Sequence, residues 1–186
     1  MKLNLFLLFC LCFSSPASAG QTDFLSYKFW KTTSLEEVRS AIEHGADIEA
    51  RDKTGVTALM FAAGYSHIPD IITLLIKKGA DLKARDMIGG TILMAAAGHN
   101  QEPDIITRLI KHGADIEARD RVGKTALMFA SGYNRNTEIM LRLLSHGADI
   151  KAKDKDGKTA LDFAKRNKVA KAGNAYRILY DVINRQ

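Results

Sequence analysis

The sequence predicts an all-α solenoid, in which helix–turn–helix units stack side by side and short β-hairpin fingers join them. Three observations carry this prediction. Gly-Ala-Asp recurs at Gly45, Gly79, Gly113 and Gly147, each 34 residues after the last. Five more positions keep the same step: Asp52, Gly55, Thr57, Leu59 and Ala62 are matched at 86, 89, 91, 93 and 96, and again in the next two units. The two ends depart from the pattern, as the end units of a stack must, because each turns one face to water.

Each element of a unit follows from its residues. Thr57-Ala-Leu-Met-Phe-Ala-Ala63 reads as a short helix whose small residues admit a neighbour at close range. Residues 64–68 read as a loop. Pro69-Asp70 suits a helix start, since proline is tolerated in the first turn and an acid there meets the positive dipole end. Ile71, Ile72, Leu74, Leu75 and Ile76 spread over more than one helix face, which suits a helix sandwiched between two others. Gly79 supplies a left-handed helix stop, and residues 80–90 run on as an extended finger that turns back to the next helix. Histidine precedes the stop glycine at 44, 112 and 146, and Lys78 fills the same place, so the position suits a cation at a helix C-terminus.

The end units differ. The first, near residues 23–51, holds Phe24, Tyr27, Phe29 and Trp30, and its second helix opens on Ser34-Leu-Glu-Glu37, a capping-box spacing. The last, 154–186, has Asp162 where the other units have methionine, and adds Lys165, Arg166, Lys168 and Lys171. Three full repeats, 52–85, 86–119 and 120–153, lie between them.

Residues 1–19 stand apart. Lys2, an apolar run from Leu3 to Phe13 broken only by Asn4, and Ala17-Ser-Ala19 form the three parts of a secretory signal peptide. The run is shorter than the ~20 apolar residues that span a bilayer. Phe9 and Leu11, which precede Cys10 and Cys12, disfavour a lipoprotein site. Cleavage is expected after Ala19, leaving a domain of residues 20–186 without cysteine and therefore without a disulfide, thiol nucleophile or thiolate metal site. The short leader, the lack of disulfides and the absence of Asn-x-Ser/Thr make an exported protein of the bacterial periplasm or the extracellular space the expectation. Charge is uneven: residues 151–186 hold 10 Lys and Arg against 4 Asp and Glu, while 20–150 are close to balance. Such an end can attract anionic partners, although a solvated face would look the same.

The pattern resembles the ankyrin-repeat family, whose unit is a turn and two helices with a Thr-Pro-Leu-His-x-Ala signature. Thr57-Ala-Leu-Met-Phe-Ala62, Thr91-Ile-Leu-Met-Ala-Ala96, Thr125-Ala-Leu-Met-Phe-Ala130 and Thr159-Ala-Leu-Asp-Phe-Ala164 keep its threonine, leucine and alanine but not its proline or histidine. The resemblance covers about residues 23–186. The period here is one residue longer, and the extra residue is expected in the loops at 64–69, 98–103 and 132–137. The resemblance implies a protein partner held along a concave side by finger tips and first-helix ends. Carried onto this chain, those positions are Lys53, Thr54, Val56 and Tyr65; Met87, Ile88, Gly90 and His99; Arg121, Val122, Lys124 and Tyr133; and Lys155, Asp156 and Lys158. They vary between units while the framework repeats, and they include types that carry weight at interfaces.

No catalytic constellation competes with that reading. The aspartates at 47, 52 and their repeats resemble paired carboxylates, but recurrence in every unit argues for bonding to turn backbone. Ser66, His67 and Asp70 have the residue types of a triad, without a nucleophile elbow. Gly123-Lys-Thr125 and Gly157-Lys-Thr159 lack the earlier glycine of a phosphate loop, Ala118 and Ala152 standing there. His67 and His99, expected in inter-helix loops, have no second metal ligand nearby. The expected function is a non-catalytic protein–protein interaction module, monomeric, using no cofactor or metal and binding no nucleic acid. Two alternatives are an accessory that protects a periplasmic enzyme and a secreted effector acting on host proteins.

Overall fold

The computed structural model describes residues 24–167 and 175–184. The leader expected at 1–19, with Cys10 and Cys12, and residues Lys168 and Lys171 of the last unit lie outside that range. Ten helices are described: α1 (Tyr27–Thr32), α2 (Leu35–Glu43), α3 (Ala58–Tyr65), α4 (Pro69–Lys77), α5 (Ile92–His99), α6 (Pro103–Lys111), α7 (Ala126–Tyr133), α8 (Thr137–Ser145), α9 (Ala160–Arg166) and α10 (Ala175–Asn184). The first helices α1, α3, α5, α7 and α9 pack in one row, and α2, α4, α6 and α8 form a second row behind it.

The core lies between the rows. Leu59, Leu93 and Leu127 of the first helices and Ile72, Ile106 and Met140 of the second belong to one continuous buried cluster. The alanines at 62, 96, 130 and 164 are buried as well, leaving room for neighbouring first helices to approach. At the open N-terminal end Phe24, Phe29 and Trp30 close the cluster, and the Trp30 indole donates to the Phe24 carbonyl at 2.9 Å.

The capping devices are as the residues require. Ser34 accepts from the Glu37 amide at 3.2 Å and Glu37 accepts from the Ser34 amide at 2.7 Å. The bond from the Ser34 amide is the chief reason that the Glu37 carboxyl is held below its usual range. Asp162, the oddity of the last unit, plays the same part for α9, accepting from the amide and hydroxyl of Thr159. His44, Lys78, His112 and His146 cap α2, α4, α6 and α8. The glycine after each has φ between 89° and 102°.

Three expectations need correction. Among the described residues the fingers are not hairpins of paired strands: a single bridge, Arg51 to Thr57, is all the β-pairing present. Nor do residues 80–90 run extended; they make two successive turns. The finger aspartates explain this. Oδ1 of Asp52 accepts from the amides of Thr54 and Val56, Asp86 from Ile88 and Gly90, Asp120 from Val122 and Lys124, and Asp154 from Asp156 and Lys158. These are amides that a strand ladder would otherwise use. Adjacent fingers touch by one backbone bond each: Met87 to Thr54, Arg121 to Ile88 and Lys155 to Val122, at 2.8–3.0 Å.

The first helices are also longer than expected. They continue through Gly64, Gly98 and Gly132 to Tyr65, His99 and Tyr133, leaving three-residue loops at 66–68, 100–102 and 134–136. These glycines serve packing and do not break the helix. A Cβ on Gly132 would lie 3.3 Å from Cβ of Phe163 in the next unit. His99 therefore ends a helix and does not sit in a loop.

Candidate protein-binding face

The fingers and first helices present the inner side of the stack, and this side collects most of the varying positions. Val56, Tyr65, Ile88, Gly90 and His99 line one hollow, walled by Phe61 and Phe129 and floored by Met94 and Ala95. Val122, Lys124, Tyr133, Lys155, Asp156 and Lys158 line a second, with Phe163 and Arg166. Lys53, Thr54, Met87 and Arg121 lie on the finger tips and line neither hollow. Thr54 is tied to the scaffold: its hydroxyl donates to Asp52 at 2.7 Å and its carbonyl accepts from Met87. Met87, Ile88, Val122 and Tyr133 are more than half exposed, an unusual set for large apolar side chains on one side of a small domain.

Aromatic rings order both hollows. Tyr65 stacks on His99 with centroids 5.6 Å apart and 25° between planes, and also meets Tyr27 and Phe61. Desolvation against these neighbours holds the His99 imidazole below its ordinary pKa. In the second hollow the Lys124 ammonium sits among three rings, 5.0 Å from the centroid of Phe163, 5.9 Å from Tyr133 and 6.0 Å from Phe129. Its hydrogen-bond partner is the Tyr133 hydroxyl at 3.5 Å. Lys158 pairs with Asp156 at 2.7 Å, which is the main cause of the depressed Asp156 pKa.

Phe61, Phe129 and Phe163 were not among the expected partner-binding residues, and Arg166, expected only as part of the basic end, joins the second hollow. The signal for the phenylalanines was present: each stands four residues before Tyr65, Tyr133 or Asn167, a spacing that puts two side chains on one helix face.

The residues that resembled catalytic groups are occupied otherwise. Ser66 is fully buried, and its hydroxyl accepts from the Ile68 amide at 3.1 Å. Asp70 pairs with Arg108 of the next unit at 2.8 Å. Among the described residues no three His, Cys, Asp or Glu cluster as metal ligands would, and no helix is long and apolar enough to cross a membrane.

A search of curated proteins returned no significant match. The family model for ankyrin repeats (3 copies) matches residues 24–86 and 93–181, most of the sequence. With the repeated helix pairs, finger turns and stacked rows described above, the chain belongs to the ankyrin-repeat family.

Proposed function

We propose that this protein is an exported, monomeric interaction module that holds a protein partner on the inner face formed by its fingers and first helices. Ankyrin repeats are in general protein–protein interaction modules. The observation that carries the reading is a division of labour. The repeated aspartates and helix-stop glycines serve the backbone, while the varying residues between them gather around two neighbouring hollows with exposed Met87, Ile88, Val122 and Tyr133. The described residues of this face are mostly apolar, aromatic and cationic side chains and finger backbone, and the function proposed is binding without catalysis.

The test is crosslinking and capture from the native organism, comparing the protein with a Tyr65→Ala, Arg121→Ala, Tyr133→Ala variant of unchanged circular dichroism. A partner held by the first and released by the second supports the inner face. Equal capture moves the site to the outer helices or the basic end, and no capture defeats the interaction reading. Export rests on the leader at 1–19; intact mass of the exported protein beginning at Gly20 is the expected result, and a retained Met1 in that fraction would refute cleavage.

A further inference from the structure

The two hollows differ in kind, and the difference comes from two small residues in the second repeat. Ala95 stands where Phe61, Phe129 and Phe163 stand in the other units, and Gly90 where the others have Val56, Lys124 and Lys158. The side chain missing at Ala95 leaves an apolar slot lined by the rings of Phe61 and Phe129, while the space beside Gly90 is filled by the Asp86 carboxylate, 2.5 Å from where a Cβ would sit. This carboxylate is committed to the amides of Ile88 and Gly90. The Lys124 ammonium lies 6.0 Å from the Phe129 ring and lines the second hollow together with Lys155, Lys158 and Arg166. Of these cations only Lys158 is ion-paired with an acid among the described residues. The second acid there, Asp154, is buried and spends Oδ1 on finger amides.

We propose that the inner face takes an extended acidic segment of a partner protein, with one bulky apolar side chain in the Ala95 slot and carboxylates at the Lys124 hollow. The proposal rests on the interaction reading above and adds the chemistry of the occupant. An apolar slot beside an excess of unpaired ammonium and guanidinium groups is complementary to that pair and repels a basic segment. Adjacent helices pack about 8–10 Å apart, and an extended chain advances about 3.3 Å per residue. The apolar anchor and the first acid should therefore lie about three residues apart.

Selection of random twelve-residue peptides on the full chain, followed by fluorescence titration of the winners, tests this. The expected winners carry a bulky apolar residue with Asp or Glu about three positions away. Ala95→Phe, a residue that three other units already carry at this position, should weaken them at least about tenfold by filling the slot. Lys124→Val with Lys158→Val, the residue of the first unit, should weaken them several-fold and flatten the salt dependence. Winners without acids, or indifferent to Ala95→Phe, overturn the proposal; if they still respond to Tyr133→Ala the inner face survives as the interaction site. Winners indifferent to every inner-face variant overturn both readings. Failure to select any peptide, or displacement of the winners by a random-sequence oligonucleotide, also overturns the proposal.

Discussion

The side-chain amide of Asn134 donates to the main-chain carbonyl of Asn100 at 2.7 Å, and Asn100 in turn donates to the carbonyl of Ser66 at 2.9 Å. Each also donates to the end of the preceding first helix, at Ala97 and Ala63. Asn167 continues the series onto Ser131 and Asn134. The ladder ties each inter-helix loop to the one before it, with the amides of Asn100 and Asn134 fully buried. At the start of the ladder the Ser66 side chain bonds locally, accepting from the Ile68 amide and donating to the Ile68 carbonyl.

That comparison isolates the bonds between units. Asn134→Ser should keep the local bond to residue 136 and lose both donations to the preceding unit, at a cost of about 1–3 kcal/mol. Urea unfolding should show a lower midpoint with an unchanged slope. An unchanged midpoint would mean that water satisfies the Ala97 and Asn100 carbonyls as well as the amide does.

The glycines separate two costs. Gly79 has φ 102° with nothing within 4 Å of an added Cβ, whereas Gly123 has φ 84° and a Cβ there would lie 3.0 Å from the Lys155 amide nitrogen. Gly79→Ala should cost about 1–2 kcal/mol from the left-handed backbone alone. Gly123→Ala should cost more, because the next finger must move as well. Equal losses in thermal unfolding would show that the fingers are not in firm contact.

The first finger should be acid-sensitive. Burial by itself would raise the Asp52 pKa, but donation from the Thr54 hydroxyl and from the Val56, Thr54 and Gly55 amides outweighs it and holds the carboxyl low. Its contribution is complete above the unfolded aspartate value of about 3.9 and is lost as pH falls through the lower folded value. Asp52→Asn should therefore flatten the acid limb of the stability–pH curve below about pH 4. A parallel limb in both proteins would assign the loss to other carboxylates.

His99 acts in a higher window, and there the fold favours the neutral form of the group. Its desolvated imidazole is held low, so the folded state resists a proton that the unfolded chain accepts near pH 6.5. Stability from this group is complete above about pH 6.5 and declines as pH falls toward the folded value. His99→Gln should remove that decline. If the variant keeps it, the Tyr65–His99 stack does not exclude water from the ring.

The architecture was legible because repetition marks it. Six positions held in step over four units specify a helix pair and a finger, and the histidine or lysine before Gly45, Gly79, Gly113 and Gly147 marks where a helix stops. The recurrence of Asp52 and its counterparts identified them as backbone partners, and each accepts finger amides in the structure. The same local rules misplaced the ends of the first helices. Gly64, Gly98 and Gly132 look like helix breakers, yet the helices run through them, and at Gly132 the neighbouring Phe163 comes within 3.3 Å of where a Cβ would sit.

What the sequence determined by itself is whatever depends on near neighbours: caps, stops, turns and the period. What the tertiary structure decided is whatever depends on residues about 34 positions apart meeting face to face. The ladder through Asn100 and Asn134, the slot that Ala95 leaves beside Phe61 and Phe129, and the ring of Phe163 beside Lys124 all belong to that second class. Each arises from stacking one unit on the next, which brings side chains into contact that no local spacing relates.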